Sequence, residues 1–163
     1  MRIFDAHCHL QFAINSALNS LPHLLPSSFG CCSTSPSDWT TVLKLTQAFP
    51  PDNNDEIKQV FPAFGIHPWW ANEIKDDDWV QQLEDILINN SHAVVGECGL
   101  DKRSAKNNNC NEWKSLYHEQ QQVFIEQIRL AEKLNRALVV HCVQVIKLCY
   151  CSIMFIITHF IIL

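Results

Sequence analysis

Short apolar stretches alternate with amphipathic ones from Ile3 to Cys142, and this alternation constrains the fold more than any other feature of the chain. Five segments are predicted strands: residues 3–10, 28–34, 60–69, 93–101 and 137–142. Helices are predicted between them. One opens at Pro36, with Ser35 as N-cap and Asp38 at the capping-box position, and aligns Trp39, Val42, Leu43 and Thr46 on one face. It stops at Pro50-Pro51. A second follows the acidic Asp76, Asp77 and Asp78, which suit a helix N-terminus, and aligns Trp79, Leu83, Ile86 and Leu87. A third covers residues 117–135, with Tyr117, Phe124, Ile128 and Ala131 on one side. Residues 11–26 and 102–112 are predicted loops, the first with a short helical piece. Strands alternating with helices predict an α/β chain with a parallel sheet.

The residues able to do chemistry gather at the predicted strand ends. In the first strand Asp5, His7 and His9 share one face, while Phe4, Ala6 and Cys8 share the other and suit burial under helices. Two imidazoles on one face sit about 6–7 Å apart at the backbone, close enough to turn onto one metal ion. On its own the pair also fits two satisfied polar residues at a strand end. His67, Glu97 with Asp101, and His141 end three further strands. In a (β/α) barrel that edge carries the active site, so the four strands together point to a metal site. Cys8 and Cys142 alternate away from the histidines and read as core thiols. His23, His92 and His118 read as solvated. Trp69 and Trp70 either stack on a base or cover the barrel top; Lys102 and Arg103 either reach a phosphate or lie in solvent.

A length of 163 residues favours one domain, and 47% hydrophobic residues suffice for a core. The net charge of −5 and the lack of a Lys/Arg run exclude a global polyanion footprint, so any polyanion must be held locally. Eight cysteines without a Cys-x-x-Cys, in a chain that opens directly on a strand, predict buried free thiols in a reducing, intracellular compartment. The cytoplasm is expected, with the nucleus as the alternative.

The segments DAHCHL (5–10), TSPSDW (34–39), FGIHPWW (64–70), VVGECGLD (94–101) and FIEQIRLAEKLNRALVVHC (124–142) resemble the TatD family of metal-dependent deoxyribonucleases, within the amidohydrolase-like barrels. The resemblance implies a (β/α)₈ TIM-like barrel holding two divalent cations, Mg²⁺, Mn²⁺ or Zn²⁺. His7 and His9 would hold the first, Glu97 would bridge both, and His141 would ligate the second. Asp101 would orient the ligands or touch substrate, and His67 would line the cleft near the scissile phosphate. The implied reaction is exonucleolytic hydrolysis of DNA, engaged locally at the metal site, with no obligate protein partner. Two other functions compete. One is a barrel hydrolase acting on an amide or lactone, although many of those bridge their metals with a modified Lys where this chain has Glu97. The other is a non-catalytic truncated product.

The chain departs from that pattern after Cys142. A barrel of this kind takes about 250 residues, and only five strands can be counted here. The expectation is therefore a partial barrel over residues 1–142 and an apolar tail over 143–163. The family's further His and late Asp belong to strands beyond residue 142 and have no evident counterpart; His159 is not read as a ligand. The tail reads as translation past an exon boundary, as a membrane anchor weakened by Gln144 and Lys147, or as a helix packed on the half barrel. Weak metal binding and little nuclease activity are expected.

Overall fold

The structure, a computed structural model, describes residues 3–15, 19, 28–50, 59–74, 78–108, 112–145 and 160–162. The elements run β1 (Phe4–Cys8), β2 (Ser28–Cys32), α1 (Pro36–Ala48), β3 (Gln59–Phe64), α2 (Trp79–Asn89), β4 (Val94–Asp101), α3 (Lys102–Asn108), α4 (Trp113–Leu134), β5 (Leu138–Val143) and β6 (Phe160–Ile162). Short 3₁₀ turns at Leu10–Ala13 and Pro68–Glu73 follow β1 and β3. The strands form one sheet in sequence order, β1 to β6, and every neighbouring pair is parallel.

One face of the sheet carries the main core. Phe29, Val60, Phe64, Val95 and Leu138 from the strands meet Trp39, Val42, Leu45, Leu83, Leu87, Phe124 and Ile128 from the helices. Cys31 belongs to this cluster, whereas Cys32 packs with Ala63 and Val139 on the opposite face, as strand alternation requires. The start of α1 follows its predicted capping box, Asp38 accepting the Ser35 amide at 3.3 Å. Helix α4 ends as expected at Asn135, in the left-handed region with φ 50°. The five described cysteines, Cys8, Cys31, Cys32, Cys98 and Cys142, are free, with Cys8 and Cys142 packed against the core.

Several expectations need correction. Residues 102–112 are not simply loop, because Lys102–Asn108 form α3. The Asp101 carboxylate accepts the Ser104 amide at 2.8 Å and so caps this helix, a signal that the run of asparagines obscured. The β3 segment leaves the sheet at Phe64, and Pro68 instead starts a 3₁₀ turn carrying Trp69 and Trp70. Helix α4 begins four residues earlier than predicted, at Trp113 rather than Tyr117. Phe4 is 54% exposed because β1 pairs with β2 alone among the described strands and sits at the sheet edge. The tail also contributes more than the five-strand count allowed: Phe160–Ile162 pair in parallel with Leu138–Val140 as β6. Val143 of the predicted tail ends β5, Gln144 and Val145 follow it, and residues 146–159 and 163, like His23, Asp76 and Asp77, lie outside the described residues. Among those described, no helix is long and apolar enough to cross a membrane.

Candidate metal centre

The C-terminal ends of β1, β4 and β5 and the turn after β3 bring together His7, His9, His67, Glu97, Asp101 and His141, every site residue named from the sequence. Glu97 is the hub. It is 3% exposed, and its two oxygens face different partners. Oε2 lies 3.3 Å from His7 Nε2 and 3.3 Å from His9 Nε2, which are 3.2 Å apart. Oε1 lies 3.1 Å from His141 Nδ1 and 3.8 Å from His67 Nε2. Two glycines allow this approach. Gly99, at φ +138°, has no room for a Cβ because one would lie 2.1 Å from the His141 carbonyl oxygen, and at Gly96, φ +147°, one would lie 2.6 Å from that of Val139. Together they let β4 close on β5 and bring Glu97 to His141.

Hydrogen bonds fix the imidazoles. His9 Nδ1 donates to the Cys32 carbonyl at 2.7 Å, which turns Nε2 toward Glu97: protonated, that nitrogen donates to the carboxylate, and deprotonated it can ligate a cation. Gln11 reinforces this corner: its amide donates to the same carbonyl at 2.8 Å and to Asp38 at 3.0 Å. His141 lies between two carboxylates, with Nε2 3.2 Å from Asp101 Oδ2 and Nδ1 3.1 Å from Glu97 Oε1, so the protonated ring donates to both and the neutral ring to one. Asp101 Oδ2 also accepts the Trp69 indole N–H at 2.7 Å, so its oxygens are occupied by Trp69, His141 and Ser104. His67 differs. Its Nδ1 accepts the Trp69 amide at 3.2 Å, so the neutral ring carries its proton on Nε2 and presents a donor.

Burial alone would raise the Glu97 carboxyl, but hydrogen bonds from His141 and His9 and the nearby His67 and His7 hold it far below the carboxylate range. Burial lowers His67 to about 4, so it is neutral near pH 7. The hydrogen bond to Glu97 raises His9. In His141, burial is outweighed by Glu97 and Asp101, and the net shift is upward. Burial lowers His7.

Two donor sets offer metal ligands: His7, His9 and Glu97; and His67, Glu97 and His141. The first fits a cation closely. Ligands about 2.1 Å from one ion lie about 3.0–3.4 Å from each other, and the three edges here are 3.2, 3.3 and 3.3 Å. The buried His7 Nδ1 has no hydrogen-bond partner among the described residues, and none of them commits that ring to another role. In the second set, His141 Nδ1 and Glu97 Oε1 lie 3.1 Å apart and share a proton, a place that a cation would take over. His67, with its donor turned inward, suits a substrate oxygen better than a cation. A cavity of about 450 Å³ opens over these groups, also lined by Phe12, Thr34, Trp69 and Trp70. Trp69 is 54% exposed there, with its ring edge-on to His67 and His141.

The sequence reading missed the supporting polar residues. Ser33 Oγ accepts the Gly65 amide at 2.9 Å and donates to the Gly65 carbonyl at 3.3 Å, linking the ends of β2 and β3. Gln127, fully buried on α4, exchanges hydrogen bonds with both backbone groups of Ile66, next to His67. Gln120 accepts the Asp101 amide at 2.9 Å. A glutamine in line with a helix's apolar stripe is the only sequence trace such residues leave.

The TatD related DNase family model matches residues 4–154, running past Cys142 into the tail. The Cut9-interacting protein scn1 of Schizosaccharomyces pombe is 27% identical over 202 aligned residues, which cover 93% of this chain and 58% of that protein. The fold matches YJJV, a TatD homolog from Escherichia coli, with TM-score 0.67 and 22% identity over 88% of this chain and 51% of that one. It matches a TatD family hydrolase from Entamoeba histolytica with TM-score 0.73 and 15% identity, over 95% and 55% of the two chains. These likenesses establish the sheet and its helices as a partial (β/α)₈ barrel. The chain spans little more than half the length of the relatives it matches. With the family model covering nearly all of it, the chain belongs to the family of TatD-related DNases.

Proposed function

We propose that this chain carries one half of a two-cation phosphodiesterase centre acting on DNA. The observation that supports it best is Glu97, whose two oxygens face separate sets of imidazole nitrogens. Such a bridging carboxylate with neutral imidazoles suits Zn²⁺, Mn²⁺ or Mg²⁺. His7, His9 and Glu97 would hold one ion, and Glu97 with His141 the other. Two cations so placed would activate a water and neutralise charge on the scissile phosphate and leaving oxygen.

The protein's own groups have separable tasks. Asp101 accepts from His141 Nε2 and so keeps Nδ1 free to ligate, as partners behind a metal-binding His commonly do. His67, neutral and with its Nε2 proton directed into the cleft, donates to a non-bridging phosphate oxygen. The Trp69 indole bonds Asp101 and leaves half its surface exposed beside the scissile position. Exonucleolytic action follows if that ring ends the binding track.

Isothermal titration with Zn²⁺ and Mn²⁺ tests the centre. Glu97→Gln keeps the side-chain volume and removes the bridge, and both ions are expected to lose at least tenfold in affinity. Metal-dependent release of nucleotides from DNA should vanish in the same variant. Unchanged titration in Glu97→Gln would remove the proposal. An amide or lactone hydrolase would instead keep its metal requirement and leave DNA intact.

A further inference from the structure

Past the proposed metal centre, at the same end of the sheet, three ammonium groups converge on one indole. Lys102, Lys106 and Lys114 place Nζ 5.8, 5.4 and 6.0 Å from the centre of the Trp113 ring. Lys102 and Lys106 sit one helical turn apart on α3, and Lys114 is on the first turn of α4. Among the described residues, Lys and Arg ion pairs join Arg129 with Glu126 and Lys133 with Glu84, and neither involves this trio. Three like charges around one ring repel each other, and an anion seated between them removes that repulsion. This concentration of cations stands out in a chain with a net charge of −5.

The patch begins one residue past Asp101. Lys102 follows Asp101, which bonds the exposed Trp69 at the cavity mouth. Along the chain from the end of β4, next to the exposed Trp69 indole, come lysines and then a second, half-buried indole with three ammonium groups over its ring. Aromatic platforms spaced along a cationic track suit single-stranded nucleic acid, whose unpaired bases stack and whose phosphates pair with lysine. A duplex has no free base faces for Trp113, and a simple polyanion has no bases at all.

We propose that Trp113 with Lys102, Lys106 and Lys114 is a binding site for single-stranded nucleic acid lying beyond the cleavage position. This deepens the phosphodiesterase reading and rests on it for the direction of the strand, but binding here needs no cation and no turnover.

The test is fluorescence anisotropy of the full 163-residue chain with a labelled oligothymidylate of about twelve nucleotides, in EDTA, over a range of salt. Each phosphate neutralised on a single strand contributes about 0.7 to the slope of log affinity against log salt, so K102Q/K106Q/K114Q should make the slope shallower by about 2. Trp113→Ala should weaken the oligothymidylate by about five- to a hundredfold, from the usual worth of one stacked base, and leave a matched duplex unaffected. The lysine variant changes only surface groups and keeps the test valid if Trp113→Ala unfolds. An unchanged slope and affinity in the triple variant overturn the proposal. So does a loss of oligothymidylate and heparin binding in equal measure with no effect of Trp113→Ala, which leaves only a general anion patch. Binding that behaves as expected in a chain that never cuts DNA would sink the catalytic reading and leave this one standing.

Discussion

At the scale of single residues, Gln11 and Asp101 hold the corners of the site where His9 and His141 sit, through hydrogen bonds across 21 and 40 residues of chain. His7, His9, Glu97 and His141 stand out because a polar side chain at the end of an apolar strand has few structural reasons to be there. No local pattern reveals the Gln11 bonds, whereas the orienting role of Asp101 comes with the family resemblance. Their removal gives a direct check. Gln11→Ala frees His9 to turn, and Asp101→Asn replaces the acceptor for His141 Nε2. Each is expected to lower Zn²⁺ affinity by about ten- to a hundredfold without altering a ligand, read by competition with a chromogenic chelator. His67 supplies a pH signature. Its folded value of about 4 lies below the ordinary 6.5, so the unfolded chain binds its proton first. The stability it contributes is full above pH 6.5 and is lost as pH falls toward 4. The metal-free thermal midpoint should fall across that window, and His67→Asn should flatten the fall.

At the scale of elements, β4 decides the geometry. Its sequence VVGECGLD gave away both the strand and the carboxylate, because only a buried strand places Glu97 after Val94 and Val95. The consequence of its glycines appears only in the fold, where Gly99 meets the His141 backbone at a positive φ. Gly99→Ala is expected to cost about 1–3 kcal/mol in urea unfolding, from backbone strain alone, and to weaken metal binding by separating His141 from Glu97. Helix α3 was misread because Asn107, Asn108 and Asn109 dominate the segment's appearance. Its cap, Asp101, also ends β4 at the catalytic edge, and one carboxylate serves both. The strand in the tail is obscure for the opposite reason: the largely apolar run over residues 143–163 carries little period to read.

At the scale of the whole molecule, the alternation of strand and helix was enough to fix the parallel partial barrel, and the sixth strand extends it. A sheet edge at β1, with Ile3 and Phe4 exposed, is a template for further pairing. Light scattering should therefore show association that grows with protein concentration and weakens in Phe4→Lys. DNA cleavage by the 163-residue chain is expected to be far slower than by a relative of full family length, measured on the same substrate. The placement of Glu97 between two imidazole sets carries one further consequence. Because a single side chain belongs to both, the two positions cannot fill as strangers. Thermodynamic linkage requires that an ion entering beside His9 change the affinity beside His141 by a factor returned in full in the other direction. The isotherm is then that of a coupled pair rather than two separate sites.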